Sequence, residues 1–507
     1  MFKKNRLRGT VAALACVGFL LAGSPARAAE EPIHDNPLYS SLNVLLHKDT
    51  ASDSAKRRQS ETRLAFVKQE KKWGAVNAAG GTVIPADFDE LFPYAKELIA
   101  ARKGKSWGVF HRSGKIIVPV SMKHLEPFEE ERIVVQDAKG KWGCYDADGN
   151  IVLPAEYRDM VPFTEDVAAV QLKDKSWTYF RRDGSRLSEQ TYRAAGIFSE
   201  GRAAIQDKKK RIGFIDAEGK EAIPCRYDYA MIFSEGLAPV SLKGKWGFID
   251  KKGTMVIEPQ FREVAGGFSE GLAPVKSKEG WIYIDKTGAK MFAAHYDNVL
   301  PFHGGLAEVR RTVSTTNLFG ALLTIAEAAT GFYVYDPDLL TDEKIKRGYI
   351  DRSGKEIISP KNDYTDTFHD KKAIVKVKGK WGCVNEKGEY LVEAKYKDMR
   401  RFSENLAAVK EGNAWGYVTE SGTLAIAPKY DEVRDFHEGV AAVRQGSQWS
   451  LIDKDGRPPF RLPFGITEIG DFADGLAPVK IGDKWGYMNH EGTLVISPQY
   501  KEARPFQ

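Results

Sequence analysis

Cysteine is scarce in this sequence, with four in 507 residues. Cys16 lies in an apolar segment near the N-terminus, and Cys144, Cys225 and Cys383 are spread over the rest of the chain. An odd number of distant cysteines, without a Cys-x-x-Cys pair, argues against a disulfide framework and against a cysteine-based metal site. We therefore expect these three residues to be small buried side chains.

Sequence motifs for metals and cofactors are also missing. The chain contains no His-Glu-x-x-His, no phosphate-binding loop and no dinucleotide fingerprint. Three of the nine histidines, His303, His369 and His437, each directly follow a recurring Phe, but they come from different parts of the chain. Asp-x-x-Gly turns recur, yet they lack the further acidic ligands of a calcium loop. The sequence thus predicts no enzyme, no metal and no cofactor.

Long hydrophobic runs are absent except at the N-terminus. A basic stretch containing Lys3 and Lys4 precedes the apolar segment from Val11 to Ala22, and Ala26-Arg27-Ala28 follows as an A-x-A site. Twelve apolar residues are too few for a membrane span, which needs about 20. The pattern predicts a signal peptide at residues 1–28, cleaved after Ala28, and a periplasmic or secreted protein without a stable membrane span.

Basic charge is small once this segment is set aside. Residues 1–28 contain five Lys and Arg and no acidic residue, so the formal net charge falls from +6 to +1. A near-neutral chain lacks the overall positive charge typical of nucleic-acid binding, and we expect no nucleic-acid partner.

An internal repeat dominates the remaining sequence. Every tryptophan of the chain falls on one register, and Ile212 and Arg347 occupy that register in two further units. The spacing is 34 to 36 residues throughout, apart from 66 between Trp281 and Arg347. Twelve units with one insertion result. The tryptophans are Trp73, Trp107, Trp142, Trp177, Trp246, Trp281, Trp381, Trp415, Trp449 and Trp485.

Two other positions are invariant among the twelve units. One is a glycine seven residues after the tryptophan position, which indicates backbone with positive φ, where a Cβ atom is penalised. The other is a phenylalanine late in each unit. The glycines are Gly80, Gly114, Gly149, Gly184, Gly219, Gly253, Gly288, Gly354, Gly388, Gly422, Gly456 and Gly492. The phenylalanines are Phe92, Phe128, Phe163, Phe198, Phe233, Phe268, Phe302, Phe368, Phe402, Phe436, Phe472 and Phe506.

The sixth unit shows the local structure we expect. Leu237-Ala238-Pro239-Val240, Trp246-Gly247-Phe248-Ile249 and Met255-Val256-Ile257 predict three short strands, joined by Lys243-Gly244 and by the turn Asp250 to Gly253. Residues 260–271 then form a connector. A three-stranded meander cannot bury both faces alone, so each unit must stack on its neighbours, with the tryptophans in the core.

This pattern resembles the WG, or KWG, repeat of bacterial proteins. The cleanest copy is Lys245-Trp246-Gly247 with Phe268-Ser269-Glu270-Gly271-Leu272-Ala273-Pro274-Val275. The resemblance covers about residues 64–507 and implies a β-rich repeat domain, commonly on exported proteins, with no particular activity. Units with Ile212, Arg347, Trp177-Thr178, Trp281-Ile282 and Trp449-Ser450 depart from the motif, and packing around the dipeptide must differ there.

We therefore expect an all-β chain with a signal peptide at 1–28, an N-terminal helix and linker at 29–63, and a tandem array of twelve three-stranded meanders at 64–507. Twelve units exceed the four to eight blades typical of propellers. The array also opens on Leu64-Ala65-Phe66-Val67 and closes on Phe506, with no strand visibly shared between the ends. We favour an open superhelix, or solenoid, over one or two β-propellers.

The insertion, at about residues 312–343, is the one unrepetitive part of the array. Insertions in repeat proteins often lie on the binding face. Its aromatic residues Phe332, Tyr333 and Tyr335 are candidate binding residues, although a structural role is equally consistent with the sequence. We predict a non-catalytic extracytoplasmic scaffold for protein–protein interaction. The alternative is a lectin-like protein that binds cell-wall glycan, which requires aromatic rows facing solvent.

Overall fold

The computed structural model describes residues 63–316 and 341–507. In these two ranges the chain forms strands joined by turns and irregular segments, without a helix. The predicted signal peptide, nearly all of residues 29–63 and the middle of the insertion lie outside the described residues.

The strands form twelve small antiparallel sheets, and we number both in chain order. Sheet 1 has β1 (Leu64–Gln69), β2 (Lys72–Asn77), β3 (Thr82–Phe88) and β46 (Glu502–Phe506); sheet 2 has β4 (Glu90–Ala95), β5 (Leu98–Lys103), β6 (Ser106–His111) and β7 (Ile116–Met122); sheet 3 has β8 (His124–Leu125), β9 (Arg132–Gln136), β10 (Trp142–Asp146) and β11 (Ile151–Tyr157). Sheet 4 has β12 (Asp159–Met160), β13 (Val167–Gln171) and β14 (Trp177–Arg181); sheet 5 has β15 (Ala194–Ser199), β16 (Arg202–Gln206), β17 (Ile212–Asp216) and β18 (Glu221–Tyr227); sheet 6 has β19 (Tyr229–Ala230), β20 (Leu237–Leu242), β21 (Lys245–Asp250) and β22 (Met255–Phe261).

The second half of the chain repeats the arrangement. Sheet 7 has β23 (Glu263–Val264), β24 (Ala273–Ser277), β25 (Gly280–Ile284) and β26 (Lys290–Ala294); sheet 8 has β27 (Asn298–His303), β28 (Leu306–Thr316), β29 (Thr341–Asp351) and β30 (Glu356–Ile358); sheet 9 has β31 (Tyr364–Thr365), β32 (Lys372–Val377), β33 (Lys380–Asn385) and β34 (Tyr390–Tyr396). Sheet 10 has β35 (Asp398–Ser403), β36 (Leu406–Glu411), β37 (Ala414–Thr419) and β38 (Leu424–Tyr430); sheet 11 has β39 (Glu432–Val433), β40 (Val440–Gln445) and β41 (Gln448–Asp453); sheet 12 has β42 (Ile466–Ile469), β43 (Leu476–Ile481), β44 (Lys484–Asn489) and β45 (Leu494–Tyr500).

The sheets share one internal order, and we call the strands A, B, C and D from one edge to the other; sheets 4 and 11 have strands A, B and C only. Strands B, C and D are the three predicted strands, and the Trp-Gly dipeptide lies on C. Strand A is formed by what the sequence suggested was a connector. In sheet 6, for example, β19 is strand A and pairs with β20 through Ala230 and Val240. The connector of each unit therefore becomes the first strand of the next sheet.

The turn between strands C and D explains the first invariant glycine. The N–H of Gly253 donates to the carbonyl oxygen of Asp250 at 2.9 Å. The Asp250 carboxylate accepts hydrogen bonds from the N–H groups of Lys252, at 2.9 Å, and Thr254, at 2.8 Å. Gly253 has a φ of 81°, and all twelve equivalent glycines have positive φ. The predicted turn and its glycine are confirmed.

The glycine beside the tryptophan has a different cause. In sheet 6, Trp246 pairs with Phe261 and Phe248 pairs with Ile257, so strand D bulges opposite Gly247. A Cβ atom on Gly247 would overlap the carbonyl oxygen of Ile257. The backbone of strand D thus occupies the space that any side chain would need.

The two ends of the described array meet in one sheet. Strand β46 pairs with β1, with Phe506 opposite Ala65. The N–H of Gln507 donates to the carbonyl oxygen of Leu64 at 3.1 Å, and the N–H of Lys501 donates to that of Lys68 at 2.8 Å. Sheet 1 is therefore completed by the last strand of the chain. The open superhelix that we favoured is wrong, because the final connector supplies the strand A that the first unit lacks.

The hydrophobic core confirms closure. Buried hydrophobic residues of the described chain fall into twelve clusters, and each cluster is shared by two consecutive sheets. One cluster joins sheet 12 to sheet 1 through Ala65, Val67, Tyr487 and Phe506. An open row of twelve sheets has eleven junctions, whereas a ring has twelve. The chain is thus a twelve-bladed β-propeller, which was the stated alternative.

The insertion belongs to sheet 8. Strands β28 and β29 pair over eleven residues each, from Leu306 opposite Asp351 to Thr316 opposite Thr341. The corresponding strands of sheet 6 have six residues each. The outer part of the predicted insertion, residues 312–316 and 341–343, is therefore an extension of the B–C hairpin, and residues 317–340 lie outside the described chain.

Candidate binding surfaces of the ring

The tryptophans form a layer inside the sheets. Trp73, Trp142, Trp177, Trp281, Trp415 and Trp449 are buried, and Trp107, Trp246, Trp381 and Trp485 are half-buried.

Cationic side chains lie over many of these indole rings. At Trp73, the ammonium of Lys68 is 5.4 Å from the ring centroid and the guanidinium of Arg504 is 4.3 Å away. The other cation–ring pairs are Arg102 with Trp107, Lys276 with Trp281, Lys376 with Trp381, Arg400 and Lys410 with Trp415, Arg434 with Trp449, and Lys480 with Trp485. Because cations attract the face of an aromatic ring, these faces are already in use within the fold.

The Phe-Ser-Glu-Gly segment forms the turn between strands A and B and links consecutive sheets. The hydroxyl of Ser234 donates to the carbonyl oxygen of Phe268 in the next sheet at 2.6 Å. The carboxylate of Glu200 accepts hydrogen bonds from the N–H of Glu235, at 2.6 Å, and of Gly236, at 2.9 Å. Glu200 has a φ of 52°, a left-handed conformation that costs energy for a residue with a side chain. The bonds to the next sheet offset that cost.

Equivalent glutamates make the same bonds along two arcs of the ring, and we call this set of hydrogen bonds the glutamate ladder. From sheet 4 to sheet 8 the acceptors are Glu165, Glu200, Glu235 and Glu270, and from sheet 10 to sheet 12 they are Glu404 and Glu438. Each accepts a hydrogen bond from a glycine N–H in the turn of the following sheet, at 2.8 to 3.0 Å. The ladder therefore connects neighbouring sheets by hydrogen bonds at the A–B turns.

Lysines of the following sheet reinforce the ladder. Lys251 lies 3.2 Å from the Glu200 carboxylate, and Lys454 lies 3.0 Å from that of Glu404. Burial acts to raise the pKa of Glu200, but the N–H of Gly236 and the ammonium of Lys251 outweigh it, so that the pKa is lowered. The pKa of Glu404 is lowered in the same way against the effect of burial. These carboxylates are therefore held in the charged form.

The ladder is interrupted between sheets 8 and 10. Sheet 8 has Gly304 at the glutamate position, and sheet 9 has Asp370, whose side chain is one methylene shorter than that of glutamate. Within the described chain its carboxylate makes no bond to the turn of sheet 10, where Asn405 replaces the usual glycine. A groove of about 440 Å³ remains at this junction. It is lined by Asp366, His369, Asp370, Lys372, Arg401, Phe402, Glu404, Asn405 and Glu420, with Ile374 and Cys383 beneath.

The groove between sheets 9 and 10 is polar and has charges of both signs. Arg401 pairs with Asp366 at 2.6 Å, and Lys372 pairs with Glu420 at 2.8 Å. A second, shallower depression adjoins it between sheets 10 and 11. The two share Glu404, Asn405 and Glu420, and the second adds Lys454, Asp455 and Arg457. Together they form one concave area across sheets 9, 10 and 11.

A pair of half-buried carboxylates lies one junction further along the ring. Asp435 and Asp471 occupy equivalent positions, each directly before the recurring phenylalanine, and one oxygen of each is buried without a hydrogen-bond partner. Arg400 lies 3.8 Å from Asp435, and His437 lies 3.9 Å from Asp471. Burial raises the pKa of Asp435, and the neighbouring charge of Asp471 adds to the rise, although Arg400 opposes it.

The candidates predicted from the sequence fall partly outside the described residues. Phe332, Tyr333 and Tyr335 lie outside the described residues, so their environment is not part of this structure. His303 is the last residue of strand A in sheet 8, and His369 and His437 lie in the A–B turns of sheets 9 and 11. Among the described residues no group of three or more His, Cys, Asp or Glu side chains is placed to hold a metal ion. In the same ranges there is no helix of the length and hydropathy that a membrane span requires.

Two segments match the Gly-x-Ser-x-Gly spacing of hydrolases, Gly104 to Gly108 and Gly267 to Gly271. Ser106 begins strand β6. Ser269 lies in an A–B turn, and its hydroxyl donates to the carbonyl oxygen of Phe302 at 2.6 Å. Neither serine sits on the strand-to-helix turn that exposes the nucleophile in that motif.

The interruption at Asp370 was missed from the sequence. The repeat pattern does place Asp370 and Asn405 where Glu and Gly usually stand. That signal becomes meaningful only once the A–B turns are known to touch across sheets.

Comparison with solved structures finds remote likenesses. The chain is 10% identical to BamB from Moraxella catarrhalis, with 62% of this chain and 92% of that chain covered and a TM-score of 0.30. It is 12% identical to a eukaryotic initiation factor, with 72% of this chain and 95% of that chain covered and a TM-score of 0.33. It is 10% identical to PorZ, a bacterial surface component of the type-IX secretion system of Porphyromonas gingivalis, with 86% of this chain and 81% of that chain covered and a TM-score of 0.23.

Comparison by sequence is more specific. No curated protein matches the chain. The family model described as WG containing repeat matches ten segments, at residues 73–106, 142–175, 212–246, 246–281, 283–311, 348–381, 381–413, 415–449, 449–485 and 485–507. These segments include the units around Ile212 and Gly348, which depart from the dipeptide, and together they cover well over half of the sequence. The chain belongs to the family of WG-repeat proteins.

Proposed function

We propose that this WG-repeat ring is a non-catalytic scaffold that binds a protein partner in the groove between sheets 9 and 10. The observation that carries the proposal is the interruption of the glutamate ladder at Asp370. Along the two arcs of the ladder, from sheet 4 to sheet 8 and from sheet 10 to sheet 12, a glutamate side chain spans successive A–B turns, whereas between sheets 9 and 10 no such side chain crosses the groove.

The chemistry of the groove suits a polypeptide segment. Its walls present carboxylates, the Arg401 guanidinium, the Lys372 ammonium and the Asn405 amide within one concave area. A peptide offers backbone donors and acceptors and side chains of both charges, so it can satisfy all of these groups. Concave surfaces with a few convergent polar groups are the usual binding sites of proteins.

The glycan alternative receives less support. It requires aromatic rings in rows facing solvent, and the tryptophan rings are buried or half-buried, with cations over many of them. Four aromatic residues are exposed, but they lie on sheet 6, on sheet 9 and before sheet 12, and they do not recur from sheet to sheet: Tyr229, Tyr364, Tyr390 and Phe464.

Export is part of the same proposal, and it rests on the N-terminal sequence. The basic stretch, the apolar segment and the Ala26-Arg27-Ala28 site support secretion or a periplasmic location. Mass spectrometry of the protein recovered from the periplasm or medium of expressing cells should give a chain starting at Ala29. A chain that keeps residues 1–28 and stays in the cytoplasm would count against export.

The binding site can be tested by site-specific photo-cross-linking. A photoreactive amino acid replaces Asn405 in the groove or, as the matched control, Asp166. Both residues directly follow the turn glutamate and have left-handed φ, of 69° and 63°. Incubation with envelope extract should give a defined protein adduct at position 405 and none at 166. Equal adducts at both positions, or none at 405, would contradict the proposal, and an adduct removed by glycosidases would favour the glycan alternative.

A further inference from the structure

The alternation of an antiparallel sheet assigns the turns to two faces of the ring. The A–B turns, with the glutamate ladder, and the C–D turns, with the invariant glycine, lie on one face. The B–C turns, such as Lys243-Gly244, lie on the other, together with the bends that lead from strand D to the next strand A. We call the second one the B–C face.

Charge is distributed unequally between the two faces. In the eleven B–C turns that the structure describes, twelve Lys and Arg residues are exposed against four Asp and Glu. The A–B and C–D turns, counted in the same way, expose eleven basic and thirteen acidic residues. The near-zero net charge of the chain after residue 28 therefore conceals a basic face.

The basic residues are concentrated on sheets 4, 5 and 6. Their B–C turns expose Lys173, Lys175, Lys208, Lys209, Lys210, Arg211 and Lys243. Asp174 is the one exposed acidic residue among them. The other carboxylate, that of Asp207, turns towards the backbone and accepts a hydrogen bond from the N–H of Arg211 at 2.8 Å. Arg211 pairs with the carboxylate of Asp228, in the bend between β18 and β19. The tips of these three neighbouring turns thus present mainly lysine ammonium groups to solvent.

The shape of this face points to the kind of partner. The basic groups stand on separate turn tips around a ring, and neither depression described above lies on this face. The B–C hairpin of sheet 8 is five residues longer on each strand than that of sheet 6, so the contact is centred away from it, on sheets 4 to 6. A planar anionic surface can contact many tips at once, whereas a rod-shaped polyanion contacts few. Lysines near an anionic bilayer each strengthen binding by about fivefold. We propose that the B–C face docks on a membrane surface rich in anionic phospholipid, with sheets 4 to 6 at its centre.

This proposal is independent of the groove, which lies on the opposite face. Co-sedimentation of the purified protein with phosphatidylcholine vesicles, with and without phosphatidylglycerol, tests it. We expect binding only to the vesicles with phosphatidylglycerol, and weakening as salt is raised, because such attraction is screened.

A pair of matched variants locates the contact. The triple variant Lys208→Glu/Lys209→Glu/Lys210→Glu should lose at least about tenfold in vesicle affinity. The control variant Lys252→Glu/Lys355→Glu/Lys387→Glu changes the net charge equally, on exposed C–D turns of the other face, and should bind nearly as the unaltered protein does. Circular dichroism checks that both fold. Equal losses in the two variants, binding to phosphatidylcholine alone, or binding to duplex DNA or heparin without binding to phosphatidylglycerol vesicles would overturn the proposal.

Discussion

Phe506, five residues into the last strand, lies opposite Ala65, the second residue of the first strand, in one sheet. Both are buried in the cluster that joins sheet 12 to sheet 1. Phe506 thus has the environment of the equivalent phenylalanines inside the ring, such as Phe268, which is also buried.

We therefore predict that Phe506→Ala destabilises the protein as much as Phe268→Ala does, by about 3–5 kcal/mol each, since both create a cavity in the core. Urea denaturation followed by tryptophan fluorescence measures the difference. In an open row of sheets, Phe506 would sit at a free end, and its substitution would have little effect. A small effect at Phe506 beside a large one at Phe268 would refute ring closure.

Phe506 also shows which part of the fold was not predicted from the sequence. The Trp-Gly register and the invariant glycine predicted strands B, C and D, because their alternation and turn chemistry are local. Strand A is only two residues long in several sheets, as in Tyr229–Ala230, and too short to leave a pattern. The final segment was consequently interpreted as a connector, and ring closure was missed. The groove at Asp370 depends on one methylene group across two sheets, which no local pattern records.

Three glycines of sheet 6 separate backbone strain from lack of space. Gly244→Ala introduces strain alone, because Gly244 has a φ of 74° and no atom lies within 4 Å of the new Cβ. Gly253→Ala adds a contact of 3.0 Å with the Ile223 side chain. Gly247→Ala places the Cβ against the backbone of strand D. We predict that the loss of stability rises in this order, from about 1 kcal/mol upward. Thermal denaturation measures this loss of stability. A different order of the three variants would contradict the assignment of the loss to backbone strain and to lack of space.

The glutamate ladder predicts a loss of stability in acid. The pKa of Glu200 is lowered from an ordinary 4.5, so its contribution is present above that pH and is lost as the pH falls through the folded-state pKa. Glu200→Gln keeps the shape of the side chain and removes the charge. The variant should be less stable than the unaltered protein at neutral pH, by about 1 kcal/mol or less, because the Glu200 side chain is 31% exposed and solvent screens its charge. The difference in stability between the variant and the unaltered protein should disappear when the pH falls well below the ordinary pKa of 4.5. A gap that does not change with pH would show that the charge is irrelevant.

Asp435 should behave in the opposite way. Its pKa is raised from an ordinary 3.8, so the folded protein favours the protonated form, and ionisation destabilises it as the pH rises above that value. Asp435→Asn should therefore be at least as stable as the unaltered protein at neutral pH, and the two should converge in acid. Denaturation midpoints measured across this pH range would show it. A variant clearly less stable at neutral pH would mean that Arg400 outweighs burial and Asp471.

The groove can be closed by restoring the repeat consensus. Asp370→Glu gives the side chain the missing methylene, and Asn405→Gly restores the glycine that follows the turn glutamate, as in Glu438-Gly439. The new carboxylate should then accept a hydrogen bond from the N–H of residue 405, as Glu404 does from that of Gly439 at 3.0 Å. We expect a gain in stability of up to about 1 kcal/mol, because such a bond to a charged group is favourable but partly exposed.

Since the glutamate would fill the space between sheets 9 and 10, the double variant should also lose its protein partner. Capture from envelope extract, compared with the single substitution Asp166→Asn at an uninterrupted junction, measures that loss. A double variant that is stabilised and still captures its partner would place the binding site elsewhere on the ring.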